Sequence, residues 1–120
     1  MNSLNFKTYF IDKLKTIPNL SKKRFEIEMN VPDVVITCSV VGIVESIKIQ
    51  IKYTPDKYLL ETSSFRNSFL DTDFKTTFEE LTSDLYDALY ETIKPVGLSV
   101  RVYRNDGKLL DWGVTYTNLN

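Results

Sequence analysis

Between Ile47 and Tyr53 the chain alternates without a fault: Ile47, Ile49, Ile51 and Tyr53 fall on one side, and Lys48, Gln50 and Lys52 on the other. Successive side chains point to opposite faces only in a β-strand, so this segment is predicted to lay one face on a core and the other towards water. Pro55 and Asp56 stop it. A strand of this kind needs neighbours to pair with and a layer to cover its apolar face. Three further segments can pair with it. Phe25, Ile27 and Met29 alternate with polar residues from Arg24 to Met29. Leu98, Val100 and Val102 alternate with Ser99, Arg101 and Tyr103, and Trp112, Val114 and Tyr116 form a fourth run. Asn105, Asp106 and Gly107 between the last two are a strong hairpin signal.

The covering layer is legible as helical spacing. Phe74, Phe78, Leu81, Leu85, Ala88, Leu89 and Ile93 hold that period from Asp73 to Lys94, and Pro95 with Gly97 ends the run. A shorter helix is predicted over Ser64 to Leu70. Phe6, Phe10, Leu14 and Ile17 predict another from about Ser3 to Ile17, closed by Pro18. The segment Val31 to Val44, holding Cys38 and Gly42, reads as an apolar connection too long for a tight hairpin. The expected fold is therefore α+β, a single domain over 1–120. It has an antiparallel four-stranded sheet with two helices on one face, in ββααββ order, plus a short N-terminal helix. The second face of such a sheet lacks a layer, which predicts self-association.

Composition excludes several functions. Fifteen basic against sixteen acidic residues give no broad positive field for sequence-independent nucleic-acid binding. Histidine is absent, which removes the commonest general base and every triad built on it. One cysteine can form neither an internal disulfide nor, without histidine, a usual zinc site, so no metal is expected. The longest uncharged run, Val34 to Val44, is too short to span a bilayer, and the N-terminus lacks the order of a secretory signal. A soluble, cytoplasmic protein is the expectation.

A resemblance enters at Cys38-Ser-Val-Val-Gly42-Ile-Val-Glu45, followed by Lys48-Ile-Gln-Ile-Lys-Tyr53-Thr-Pro55-Asp56 and Glu61. This stretch resembles the signature of the QueF family, in which Cys-Pro-x-x-Gly-x-x-Asp leads into a strand ending Tyr-x-Pro-Asp, with a glutamate shortly after. The spacing matches without a gap from Cys38 to Glu61. Phe78-Glu79-Glu80-Leu81 and Pro95 resemble the family's His-Glu segment and the proline that closes its helix. The resemblance implies a tunnelling fold assembled from several copies, with active sites between them, acting on 7-cyano-7-deazaguanine. In that scheme Cys38 adds to the nitrile to give a thioimide, Glu45 protonates the nitrogen, and Glu79 anchors the heterocycle. Glu61 is a second contact to the base. The thioimide is then reduced with NADPH in reductase members, or attacked by ammonia in the QueF-like amidinotransferases.

Three positions depart from the family pattern. Glu45 stands where the family has aspartate, keeping a carboxylic acid on one more methylene. Phe78 stands in place of the histidine beside the anchoring glutamate. In the NADPH-binding segment, Glu61-Thr62-Ser63-Ser64-Phe65-Arg66 keeps the last cation as Arg66 and loses a lysine at Ser63.

Each residue also has a plainer reading. Cys38 among valines packs as a small hydrophobe, and Glu45 and Glu61 are ordinary solvated carboxylates at strand ends. Glu79 can form a capping box with Thr76, and Glu80 takes the anchoring place if the register slips by one. Arg66 is otherwise a surface cation. With the resemblance, the expected function is a covalent nitrile-modifying enzyme acting on the free base or on nucleic acid carrying it, with amidination slightly ahead of reduction. A non-catalytic tunnelling-fold binding subunit is the third reading, kept open by the missing histidine.

Overall fold

The structure, a computed structural model, describes residues 5–70, 72–108 and 110–119. Its first element, α1 (Phe6–Lys13), is capped by the Asn5 side chain, which accepts from the Lys7 N–H at 2.9 Å. The helix stops earlier than the apolar spacing predicts: Leu14 turns extended, and β1 (Thr16–Pro18) pairs instead with β4 (Tyr58–Leu60). Thr16 and Ile17 are β-branched, and a partner strand is at hand, so the extended form wins over one more turn. The predicted start at Ser3 lies outside the described residues.

The main sheet is mixed and five-stranded, in the order β5-β2-β3-β6-β7. It comprises β2 (Ile27–Cys38), β3 (Val44–Thr54), β5 (Phe74–Thr76), β6 (Gly97–Arg104) and β7 (Trp112–Thr117). The α+β class expected from sequence holds, while the four-stranded antiparallel sheet gains a fifth strand, β5, parallel to β2. Phe74 and Thr76 were predicted within the long helix; they pair with Ile36 and Cys38 instead, and α3 (Phe78–Ile93) begins only after the Thr77 cap.

The larger correction is at Val31–Val44, most of which is strand, with only residues 39–43 left to connect β2 to β3. β2 runs on to Cys38, with a bulge between Val31 and Val34 that carries Pro32 and Asp33. Proline cannot donate to a ladder, and the bulge is where no ladder hydrogen bond is asked of it.

Ile47, Ile49, Ile51 and Tyr53 of β3 are fully buried, with Val34 and Ile36 of β2 and Leu98, Val100 and Val102 of β6. α3 covers this face with Leu81, Leu85, Ala88, Leu89 and Ile93, and ends at Lys94 in the left-handed region (φ 50°) just before Pro95. Its companion in the layer is α1, whose Phe6 and Phe10 pack on Phe74. α2 (Thr62–Asn67) is shorter than the predicted Ser64–Leu70 and contributes Phe65 to the core. No helix among the described residues covers the opposite face, which is polar. There Glu28 lies 3.6 Å from Lys52, Gln50 donates to Asn30 at 3.0 Å, and Arg101 lies over the Tyr103 ring.

Candidate active site

The site is set by the β2–β3 hairpin. The Cys38 N–H donates to the Ile43 carbonyl at 2.8 Å, and the Cys38 carbonyl accepts from the Gly42 N–H at 2.9 Å, so the turn closes directly on the cysteine. Gly42 has φ 74°, a left-handed conformation that suits glycine. Because the pleat repeats every two residues, Glu45 shares the inward phase of Ile47 and Ile49, and it pairs across from Ile36. Cys38 shares the phase of Ile36. Both therefore emerge on the helix-bearing face of the sheet, just past the end of the core.

The N-terminus of α3 closes the other side. Thr77 caps it, its side chain accepting from the Glu80 N–H at 3.1 Å, so Phe78 and Glu79 form the first turn. Cys38, Glu45, Phe78 and Glu79 line one cavity of about 220 Å³ with Ile36, Thr76, Thr77 and Trp112. The walls are mostly apolar, with carboxylates at Glu45 and Glu79. Phe78 and Trp112 stack with ring centroids 4.3 Å apart and planes within 9°.

Glu45 is held from behind. Arg104 Nη1 lies 3.0 Å from Glu45 Oε1, and Arg104 Nε lies 3.3 Å from Asp106 Oδ2. The Arg104 and Glu45 side chains are only 18% and 23% exposed, so this ion pair is less screened than one in open water. Asp106 is held below the ordinary carboxylate range, chiefly by the Lys108 backbone N–H and then by Arg104.

Four of the residues predicted from sequence thus come together, and three do not. Glu61 caps α2, accepting from the N–H groups of Ser63 (2.6 Å) and Ser64 (2.9 Å), and these bonds hold its carboxyl below the usual range. It lines a separate cleft of about 720 Å³ with Tyr9, Lys13, Lys15, Ser63 and Ser64. Arg66 lies on α2 and lines neither cavity. Glu80 is exposed and outside the Cys38 cavity, and the cap is the pair Thr77 and Glu80, one residue later than the pairing of Thr76 with Glu79 expected from sequence. Sequence reading missed Arg104 and Trp112. Arg104 carries a signal, since it continues the inward phase of Leu98, Val100 and Val102. Trp112 carries none beyond its own strand.

Among the described residues no cluster of His, Cys, Asp and Glu could hold a metal, and no helix is long and apolar enough to cross a membrane.

No family model matches the chain. It is 32% identical over 96 aligned residues to the NADPH-dependent 7-cyano-7-deazaguanine reductase of Aquifex aeolicus strain VF5, spanning 73% of this chain and 70% of that protein. The chain belongs to the QueF family. A solved structure, the apo form of the archaeosine synthase QueF-like, has the same fold: TM-score 0.61 over 81% of this chain and 94% of that one, at 18% identity. In this QueF-family member Cys38 and Glu45 stand on the two strands of one hairpin, and Glu79 of α3 lines the same cavity.

Proposed function

We propose that this chain modifies the nitrile of 7-cyano-7-deazaguanine through a covalent thioimide on Cys38. The observation that carries the reading is the shared cavity of Cys38, Glu45 and Glu79. A guanine-like base presents a ring N–H beside an amino group, and one carboxylate accepts both, so Glu79 fixes the base by its edge. The nitrile then lies towards Cys38 and Glu45.

Thioimide formation needs a proton moved, not lost. The Cys38 thiol gives its proton to the Glu45 carboxylate as sulfur attacks the nitrile carbon, one π pair shifts to nitrogen, and Glu45 returns the proton there. The sum is thiol plus nitrile giving thioimide, with Glu45 restored. Arg104 keeps the carboxylate aimed through this cycle.

Two nucleophiles can resolve the thioimide. Reduction to an amine would take two hydride equivalents from NADPH, with the C–S bond breaking and the Cys38 thiolate leaving after the first. The residues that would hold the NADPH phosphates are Lys13, Lys15 and Ser63, which line the larger cleft; neither lysine forms an ion pair among the described residues. They supply the cation that Ser63 lacks, and with the reductase relative they favour reduction to the aminomethyl base. Ammonia, displacing the Cys38 thiolate to leave an amidine, is the second reading, supported by the missing lysine at Ser63 and by Arg66 standing outside the cleft.

The working form in this reading is a homo-oligomer larger than a dimer, with sites between copies. Glu61 sits in a different cavity from Cys38, so any contact it makes with the base comes from a neighbouring copy. The Cys38 cavity is also smaller than the roughly 300–1,000 Å³ of a complete ligand site.

Intact mass measurement after incubation with the nitrile base tests the reading. The expected result is one base added to the wild type and none to Cys38→Ala; NADPH or ammonium then discharges the adduct as amine or amidine. A base that binds without any adduct would leave a binding subunit, the outcome that fits Phe78 in place of the family histidine.

A further inference from the structure

We propose that Trp112 is the platform on which the heterocycle stacks, with Phe78 as its backing; this deepens, and rests on, the assignment of the Cys38 cavity as a base pocket. Trp112 opens β7 opposite Arg104 and shares the inward phase of Val114 and Tyr116, so its ring comes over the start of α3. There it meets Phe78, 3% exposed, in a parallel stack at 4.3 Å and 9°. Trp112 itself remains 37% exposed and lines the Cys38 cavity. Phe78 thus covers one face of the indole, while the ring keeps exposed surface and lines the Cys38 cavity, where a flat ligand would stack.

Stacking and hydrogen bonding divide the recognition between them. Glu79 follows Phe78 in the same turn and presents a carboxylate that can take the edge of a base, while an indole plane takes its face. A phenyl ring at position 78 offers no hydrogen bond, so it cannot do what an imidazole there would do. What it does supply is a rigid, desolvated support that holds Trp112 flat. The chain exchanges a polar contact at this position for an aromatic platform borrowed from a distant strand. A bicyclic base gains more from such a surface than a single ring, because more of its area is covered.

Trp112 is the single tryptophan of the chain, so its emission reports on this contact alone. The full-length Cys38→Ala variant, which cannot form the adduct, is titrated with 7-cyano-7-deazaguanine while tryptophan emission is followed. The emission is expected to be quenched to saturation. Calorimetry then compares Trp112→Phe and Trp112→Leu in the same background: phenylalanine keeps affinity within a few-fold, and leucine weakens it by roughly 5- to 150-fold. Saturable binding by calorimetry with unchanged Trp112 emission, and equal affinity in Trp112→Leu, overturns the platform while leaving the base pocket intact. If the base neither binds nor forms an adduct on the wild type, the assignment of the pocket falls, and the platform with it.

Discussion

A carboxylate on glutamate has one more torsion to fix than one on aspartate, and at Glu45 that torsion is fixed by Arg104 at 3.0 Å, itself braced by Asp106 at 3.3 Å. In the proposed mechanism, losing this brace misplaces the proton shuttle and leaves the surfaces assigned to the base untouched. Arg104→Met is therefore expected to lower kcat by about 100-fold with KM for the base little changed, and Arg104→Lys to recover part of the loss. A merely structural role would not split the two constants; steady-state kinetics on both variants decides it. In the proposed mechanism Glu79 serves binding rather than chemistry. Glu79→Gln turns one acceptor into a donor facing the ring N–H or amino group, and should weaken the base by roughly 1–3 kcal/mol in a calorimetric titration. At this scale Cys38, Glu45, Phe78 and Glu79 were singled out by their resemblance to the QueF signature, and the structure sets all four around one cavity. Arg104 was half-readable through its strand phase. Trp112 reaches the site through a stack with a residue far away in sequence, and spacing says nothing about such a contact.

The elements follow the same logic. The alternation of β3 and β6 predicted the buried face of each, since each strand carries its own record of the core, and the structure sets the two side by side. Val31–Val44 was read as a connection because a bulge that accommodates proline breaks the alternation and leaves no trace in a period count. β5 was misread because Phe74 and Phe78 happen to keep helical spacing across a strand and a cap. Two tests belong here. At Gly113 an added Cβ would come within 2.5 Å of Tyr103 Cβ and 3.0 Å of the Val102 carbonyl, both on the paired strand β6. Gly113→Ala should destabilise the fold by about 1–3 kcal/mol in denaturant titration, through forced separation of β6 and β7. Glu61 supplies the second test. Its carboxyl is held below its ordinary value by the Ser63 and Ser64 N–H groups, so the folded state prefers it ionised. The stability it contributes is present above the unfolded carboxylate pKa and is lost as pH falls through the lower folded value. Glu61→Gln should therefore melt below wild type at neutral pH, with the gap closing in strong acid; a gap independent of pH would contradict the capping account.

For the whole molecule the open question is what meets the surfaces that one copy leaves bare. β7 is an edge strand, and β5 covers only the Cys38 end of β2, so residues 27–35 of β2 lack a neighbour on that side among the described residues. Such edges pair readily with another copy. Light scattering at micromolar concentration should then give a mass above that of a dimer. The functional consequence is sharper than the mass. If Cys38 of one copy and Glu61 of its neighbour serve one base, then Cys38→Ala and Glu61→Gln homo-oligomers are each impaired, by loss of the nucleophile and of a base contact. Mixing the two under conditions that exchange subunits builds some junctions with a wild-type Cys38 facing a wild-type Glu61. The mixture should form adduct faster than either parent, and the gain should disappear when exchange is prevented. Were each site contained in one copy, the mixture would show only the average of its parents, and the position of Glu61 in the Lys13 and Lys15 cleft would then mark it as a helix cap alone.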